Sequence, residues 1–365
     1  MIAALRSLTN NLLGRGDAAI TVPPFDGALK PNQRLEEAEV VATSATFEDL
    51  AASGGALLVA DGDKVLRLAA GALGEIRRFD GPITAICNCD DGALAIAVDG
   101  RVLHLIDPVS GEDRRAPMTP DGVRAINALA QGPAGTLLAT EGSAEQSVDD
   151  WAHDLMNRGH TGRLVAIDLP TRSVRVVADG LHYAFGAVAH GPEAFVSESW
   201  RHRLIAVGPD GAVRPVLDHL PVYPSRLSRA ADGGFWLTAF TARTQLVEFV
   251  LREAGYRRRM MQELDPQDWI VPRLRSGHSF REPMQGAHLK TMGVVKPWAP
   301  PRSYGLVIRL SAEGMPLMSL HSRVDGSNHG VVAAVETGDE VYVLAKGPGR
   351  LLRLPLAMLQ GERGA

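Results

Sequence analysis

Glu48, Asn127 and His329 lie far apart in the chain, yet each stands in or just before a short apolar stretch of similar grammar: "FEDLAAS", "INALAQG" and "HGVVAAV". A carboxylate, an amide and an imidazole at matching points could, where they meet, do acid–base work on a small molecule. Imidazole titrates near neutral pH, and an amide or a guanidinium can stabilise an oxyanion. Three further stretches supply Thr84, Phe185 and Ser225 at the same point, and Arg226 follows Ser225 in "YPSRLSR". A buried carboxylate without a partner is costly, and arginine can bind one through two hydrogen bonds. The expectation is a Glu48–Arg226 ion pair where the stretches converge.

Convergence requires a repeat, and self-similarity is the strongest signal in the chain. Short strands separated by Gly or Asp turns begin at "EDLAASGGALLVADGDKVLRL" and return at "ITAICNCDDGALAIAVDGRVLHLI". Further copies start at "NALAQGPAGTLLATEG", "FGAVAHGPEAFVSESW", "YPSRLSRAADGGFWL" and "HGVVAAVETGDEVYVLAKG". Each uninterrupted copy has the length of a four-stranded propeller blade. The last copy shows three clear strands, and "EAEVVATS", residues 37–44, is a spare strand that would complete it. The fold class expected is all-β: a six-bladed β-propeller closed by an N-terminal strand, removing two open sheet edges. Residues 1–36 read as an arm with a short helix, 37–356 as the propeller and 357–365 as a tail.

Residues 143–161 interrupt blade 3 and residues 241–303 interrupt blade 5, each between the second and third strands. Both helical insertions then rise on one face, around one end of the channel, as a lid. "QLVEFVLREAGYRRRMMQEL" reads as one amphipathic helix with Leu246, Phe249, Val250 and Met261 on its apolar side. Arg257, Arg258 and Arg259 read as a solvated face.

Of 365 residues 45% are hydrophobic, and the net charge of −4 gives no reason to expect a nucleic-acid partner. Cys87 and Cys89 read as buried thiols. The N-terminal Ile2, Leu5, Leu8, Leu12 and Leu13 have helical spacing without a signal-peptide pattern. The chain is expected in the cytoplasm, without a transmembrane segment; weak membrane-surface contact is open to the N-terminal helix or the lid.

"GLHYAFGAVAHGPEAFVSESWRHRLIAV" with "LPVYPSRLSRAADGGFWL" resembles the strictosidine-synthase-like branch of the SMP-30, gluconolactonase and calcium-lactonase propellers. "TFEDLA", "INALAQGPAGTLLATEGS" and "TGRLVAIDL" extend the resemblance from about residue 40 onward. It implies a channel that in relatives holds a catalytic divalent metal, usually calcium. Glu48 matches the family's first-blade glutamate, and Asn127 an asparagine near the metal. The family's "ANG" asparagine falls on Phe185, its "PDN" aspartate on Ser225 and the next asparagine on Arg226. Calcium takes six to eight oxygens. Phe185 offers none and Arg226 repels a cation, so no cofactor is expected; a degenerate calcium site would keep Glu48 and Asn127. The catalytic glutamate of strictosidine synthases falls on Val331 or Val332, so that activity is not expected.

The resemblance and the residues together imply a small-molecule hydrolase of lactone or ester type. His329, Glu48 and Arg226 are the expected catalytic residues, and Asn127, Phe185, Ser225, Tyr183 and Thr84 the expected substrate contacts. Trp200 joins the apolar wall, and Glu198 is read as structural. The alternatives are a non-catalytic ligand- or protein-binding propeller, and a metal-free lyase or isomerase using His329.

Overall fold

The computed structural model describes residues 22–133, 135–275 and 303–360, with the backbone of 290–291 and 294–295. Six four-stranded antiparallel sheets surround one axis. Their innermost strands are Phe47–Ser53, Ile83–Asn88, Ile126–Gln131, Ala184–His190, Val222–Arg229 and Val331–Thr337. The fourth strand of the last sheet is Glu39–Thr43, which pairs with Arg350–Pro355 from the other end of the chain.

Alternation explains the packing. The second strand of each sheet is buried on both faces over most of its length, and Leu94–Val98 is buried throughout. Outermost strands such as Asp113–Met118 meet water. One apolar cluster fills each blade interface: Phe79, Leu94 and Ile96 between blades 1 and 2, for example, and Trp236, Val307 and Val343 between blades 5 and 6. Flat sheets become a ring because these faces have no other way to leave water.

Each innermost strand is irregular near its start. The pairing slips between Phe47 and Asp49, Ile83 and Ala85, Ile126 and Ala128, Ala184 and Gly186, Pro224 and Leu227, and Val331 and Ala333. A bulge re-aims the extra residue and frees its backbone groups from the ladder. The bulged residues are therefore Glu48, Thr84, Asn127, Phe185, the pair Ser225 and Arg226, and Val332. This corrects the sixth position: Val332, not His329, is the counterpart of Glu48. Gly330 follows His329 as Gly186 follows Phe185, but Gly186 lies inside its strand and Gly330 lies before Val331–Thr337.

The insertions form helices Trp151–Met156, Gln245–Arg252 and Ala254–Glu263. They pack together through Leu155, Met156, Val250, Met260, Trp269 and Val271. The long insertion holds two helices, not one, because the chain turns at Glu253 (φ −79°, ψ 82°). The buried side is accordingly Val247, Val250 and Met260, while Phe249 is 44% exposed. Thr244 caps the first helix, its hydroxyl accepting from the Val247 N–H at 3.2 Å. Of the expected lid, residues 276–289, 292–293 and 296–302 lie outside the described residues, as does the N-terminal helix.

Candidate functional site

The centre of the ring is occupied by a guanidinium. Arg226 donates from Nη1 to the Glu48 carbonyl (2.9 Å) and from Nη2 to the carbonyls of Thr84 (2.8 Å) and Asn127 (2.9 Å). Its Nη2 also reaches Glu48 Oε1 at 3.1 Å, and its Nε the Asn127 carbonyl at 3.2 Å. Asp49 Oδ1 lies 3.5 Å from Nε. Bulges on three blades thus turn carbonyls toward the axis, and one planar cation from a fourth blade satisfies them. The ion pair expected between Glu48 and Arg226 forms. Gly186 makes room for it: a Cβ there would lie 2.6 Å from the Arg226 Cα.

Two charged groups at the centre were missed. Lys346, just past the second strand of blade 6, pairs through Nζ with Glu48 Oε2. Glu48 thus has a cation on each oxygen, and Lys346 is the more open, its side chain 32% exposed against 7% for Arg226. Asp49 is buried and accepts the N–H groups of Leu50 and Ile86, both at 2.9 Å. Burial raises its carboxyl to about 6, against the pull of Arg226. The sequence signal for Asp49 was its place beside Glu48; strand alternation hid it by sending adjacent side chains opposite ways.

Other predicted residues are placed differently. The Asn127 amide is spent on the Ala184 carbonyl (3.0 Å) and the Thr140 hydroxyl (2.7 Å). Ser225 is buried, bonding Thr238 Oγ1 (2.8 Å) and the Val331 carbonyl (3.1 Å). Thr84 contributes its carbonyl. His329 lies in the loop entering blade 6, where Ser303 Oγ bonds Nδ1 and Nε2 faces the Arg323 carbonyl at 2.7 Å. Both ring nitrogens are engaged by the scaffold, and burial lowers its pKa. Catalysis by His329 and side-chain contact by Asn127 and Ser225 therefore lose their geometric basis.

An aromatic run leads from the centre to the cap. The Arg226 guanidinium carbon sits 5.3 Å from the Phe185 ring centroid. Phe185 meets Tyr183 edge-on at 5.8 Å, and Tyr183 lies 4.3 Å from Trp200. Trp200 touches Trp151 of the short insertion at 6.3 Å and donates its Nε1–H to Asp154 Oδ2 at 2.7 Å. Tyr183 is buried at φ 60°, its ring against Gly142, where a Cβ would lie 2.5 Å away. Glu198 is structural, as read: it accepts the His182 N–H (2.8 Å) and pairs with Arg203 (2.5 Å).

Calcium does not fit this donor set. The carbonyls and carboxylate oxygen that would face a metal face Arg226 instead, and Phe185 adds a hydrocarbon wall. Among the described residues no group of three His, Cys, Asp or Glu side chains is placed to hold a metal, and no helix is long and apolar enough to cross a membrane.

No family model matches the chain. An adipocyte plasma membrane-associated protein from Salmo salar is 25% identical over 351 residues, covering 87% of this chain and 76% of that protein. Strictosidine synthase-like 6 from Arabidopsis thaliana is 26% identical over 186 residues, 49% of this chain and 45% of that protein. A gluconolactonase structure from Xanthomonas campestris superposes with a TM-score of 0.56 at 13% identity, covering 92% of this chain and 98% of that one. At that identity the superposition speaks for the fold. With these relatives and this ring, the resemblance to the strictosidine-synthase-like branch of the gluconolactonase-type six-bladed propellers stands.

Proposed function

We propose that the protein hydrolyses a small lactone or ester at the axial opening without a metal ion. The observation that carries the reading is Glu48, held by Arg226 on one oxygen and Lys346 on the other, beside an aromatic run beneath a cap. In this reading Glu48 takes a proton from the attacking water as its oxygen bonds the acyl carbon. The Lys346 ammonium stabilises the oxyanion. The C–O bond then breaks, and the leaving alkoxide recovers the proton from Glu48. Arg226 bonds the protein from all three of its nitrogens, so its part is to fix the base. Phe185 gives the substrate an apolar wall, and Trp200 and Tyr183 back it. The cytoplasm is the proposed location.

A panel of lactones and aryl esters tests this. Glu48→Gln and Lys346→Met are each expected to lower kcat/KM by about 100-fold, in the range for a lost base or oxyanion donor. His329→Ala is expected to leave it unchanged. Undiminished turnover in Glu48→Gln overturns the assignment. A non-catalytic binding propeller is favoured by one observation, the engagement of every Arg226 nitrogen by protein acceptors. Saturable ligand binding with no turnover across the panel would support that second reading. The lyase or isomerase reading relied on His329 as a free base.

A further inference from the structure

The face opposite the cap carries a cavity of about 540 Å³ between blades 1 and 2. Turns joining first to second strands, at Ser53–Ala56 and Asn88–Gly92, form two sides, and the Pro108–Val109 turn a third. Its size is that of a small-molecule site. Leu58, Pro108 and Val109 give it an apolar wall, while Arg67, Asn88 and Asp90 give it charge and polarity.

Two of those polar groups lack partners. Arg67 is half-buried and has no hydrogen bond or ion pair among the described residues. Asn88 Oδ1 is buried with no donor to accept from. Two neighbouring arginines are matched, Arg114 to Asp107 (2.8 Å) and Arg77 to Asp113 (2.9 Å). An unmatched guanidinium and an orphaned acceptor in one cavity ask for a ligand bearing an anion and a hydrogen-bond donor. Asp90, exposed beside Asn88, adds a second acceptor for that donor and disfavours a ligand that is anionic throughout.

We propose that this cavity binds a small carboxylate carrying a hydroxyl or amino group on the adjacent carbon and a short apolar tail. The carboxylate pairs with Arg67, the Asn88 amide turns into the cavity so that the neighbouring O–H or N–H donates to its Oδ1, and the tail lies on Leu58, Pro108 and Val109. The site is remote from Glu48 and independent of the hydrolase reading.

Calorimetry with 2-hydroxy-4-methylpentanoate and leucine, together with methyl NMR of Leu58 and Val109, tests it on the full chain. Both compounds are expected to bind saturably and shift those methyls. 4-Methylpentanoate, which lacks the donor, is expected to bind about fivefold more weakly, the effect of one unmade hydrogen bond. Isoamylamine, which lacks the carboxylate, is expected not to bind. Arg67→Gln is expected to weaken both acids at least about tenfold, with an unchanged melting temperature to show that the blade is intact. Glu48→Gln is expected to bind like wild type, which separates this site from the channel. The proposal is overturned by absence of methyl shifts with either acid. It is equally overturned by undiminished binding in Arg67→Gln, or by 4-methylpentanoate or the amine binding as well as the hydroxy acid.

Discussion

Arg226→Ala removes one side chain from a place where two carboxylates and three carbonyls depend on it. Breaking a buried charge network by deleting one partner costs about 3–5 kcal/mol, and the urea midpoint should fall accordingly. Arg226→Lys should not restore it, because an ammonium cannot span carbonyls from three blades. His329→Ala should cost about 1–3 kcal/mol through the Ser303 and Arg323 bonds, with kcat/KM unchanged. Asp49 supplies a pH signature. Its folded carboxyl, raised to about 6 from 3.8, keeps a proton that the unfolded chain has released. Wild-type stability should therefore fall as pH rises from about 4 to 6, by up to about 3 kcal/mol. Asp49→Asn costs an acceptor at every pH, so the slope is the diagnostic. Urea unfolding across that range should show the Asn variant flatter, and equal slopes would contradict the buried titration. The Glu48–Arg226 pair was legible because an anion and a cation recurring at equivalent points require each other. Lys346 was not, because its nearness to Glu48 arises only when blade 6 closes against blade 1.

At the scale of elements, bulges do the positioning. A regular ladder would tie up the carbonyls of Glu48, Thr84 and Asn127; the slipped register releases them to Arg226. Gly186→Ala tests this without touching a charge. The new methyl would meet the Arg226 backbone, so the blade 5 strand must shift, with a loss of about 1–3 kcal/mol, as overpacking costs. The loss should be additive with Arg226→Ala only if the two are uncoupled; sub-additivity is expected. The cap is a second element. Val250→Asp should strip protection from helix amides between 245 and 263 in hydrogen exchange while leaving the blades protected. Uniform loss of protection would show that cap and ring unfold together. The apolar periodicity of the cap was readable, its phase was not. Treating 245–264 as one helix put Phe249 and Met261 on the buried side; Met261 does pack against the cap cluster, but Phe249 is exposed, and the buried residues of the two helices are Val247, Val250 and Met260.

The ring itself was the most legible feature. Six phased copies and a spare strand define it, since each blade has two apolar faces that only neighbours can cover. The same closure makes residues 48, 127, 226 and 346 neighbours. Function was less legible because one fold serves many activities, and the positions that the resemblance aligned with the family's metal region carry Phe185, Ser225 and Arg226 here. The central claim is that the Arg226 guanidinium stands where the resemblance leads one to expect a divalent metal. Its most direct test is calcium itself: thermal unfolding of chelator-treated protein with and without millimolar calcium, alongside elemental analysis before chelation. The account predicts an unchanged Tm and far less than one calcium per chain; a stoichiometric ion whose return raises the Tm would contradict it.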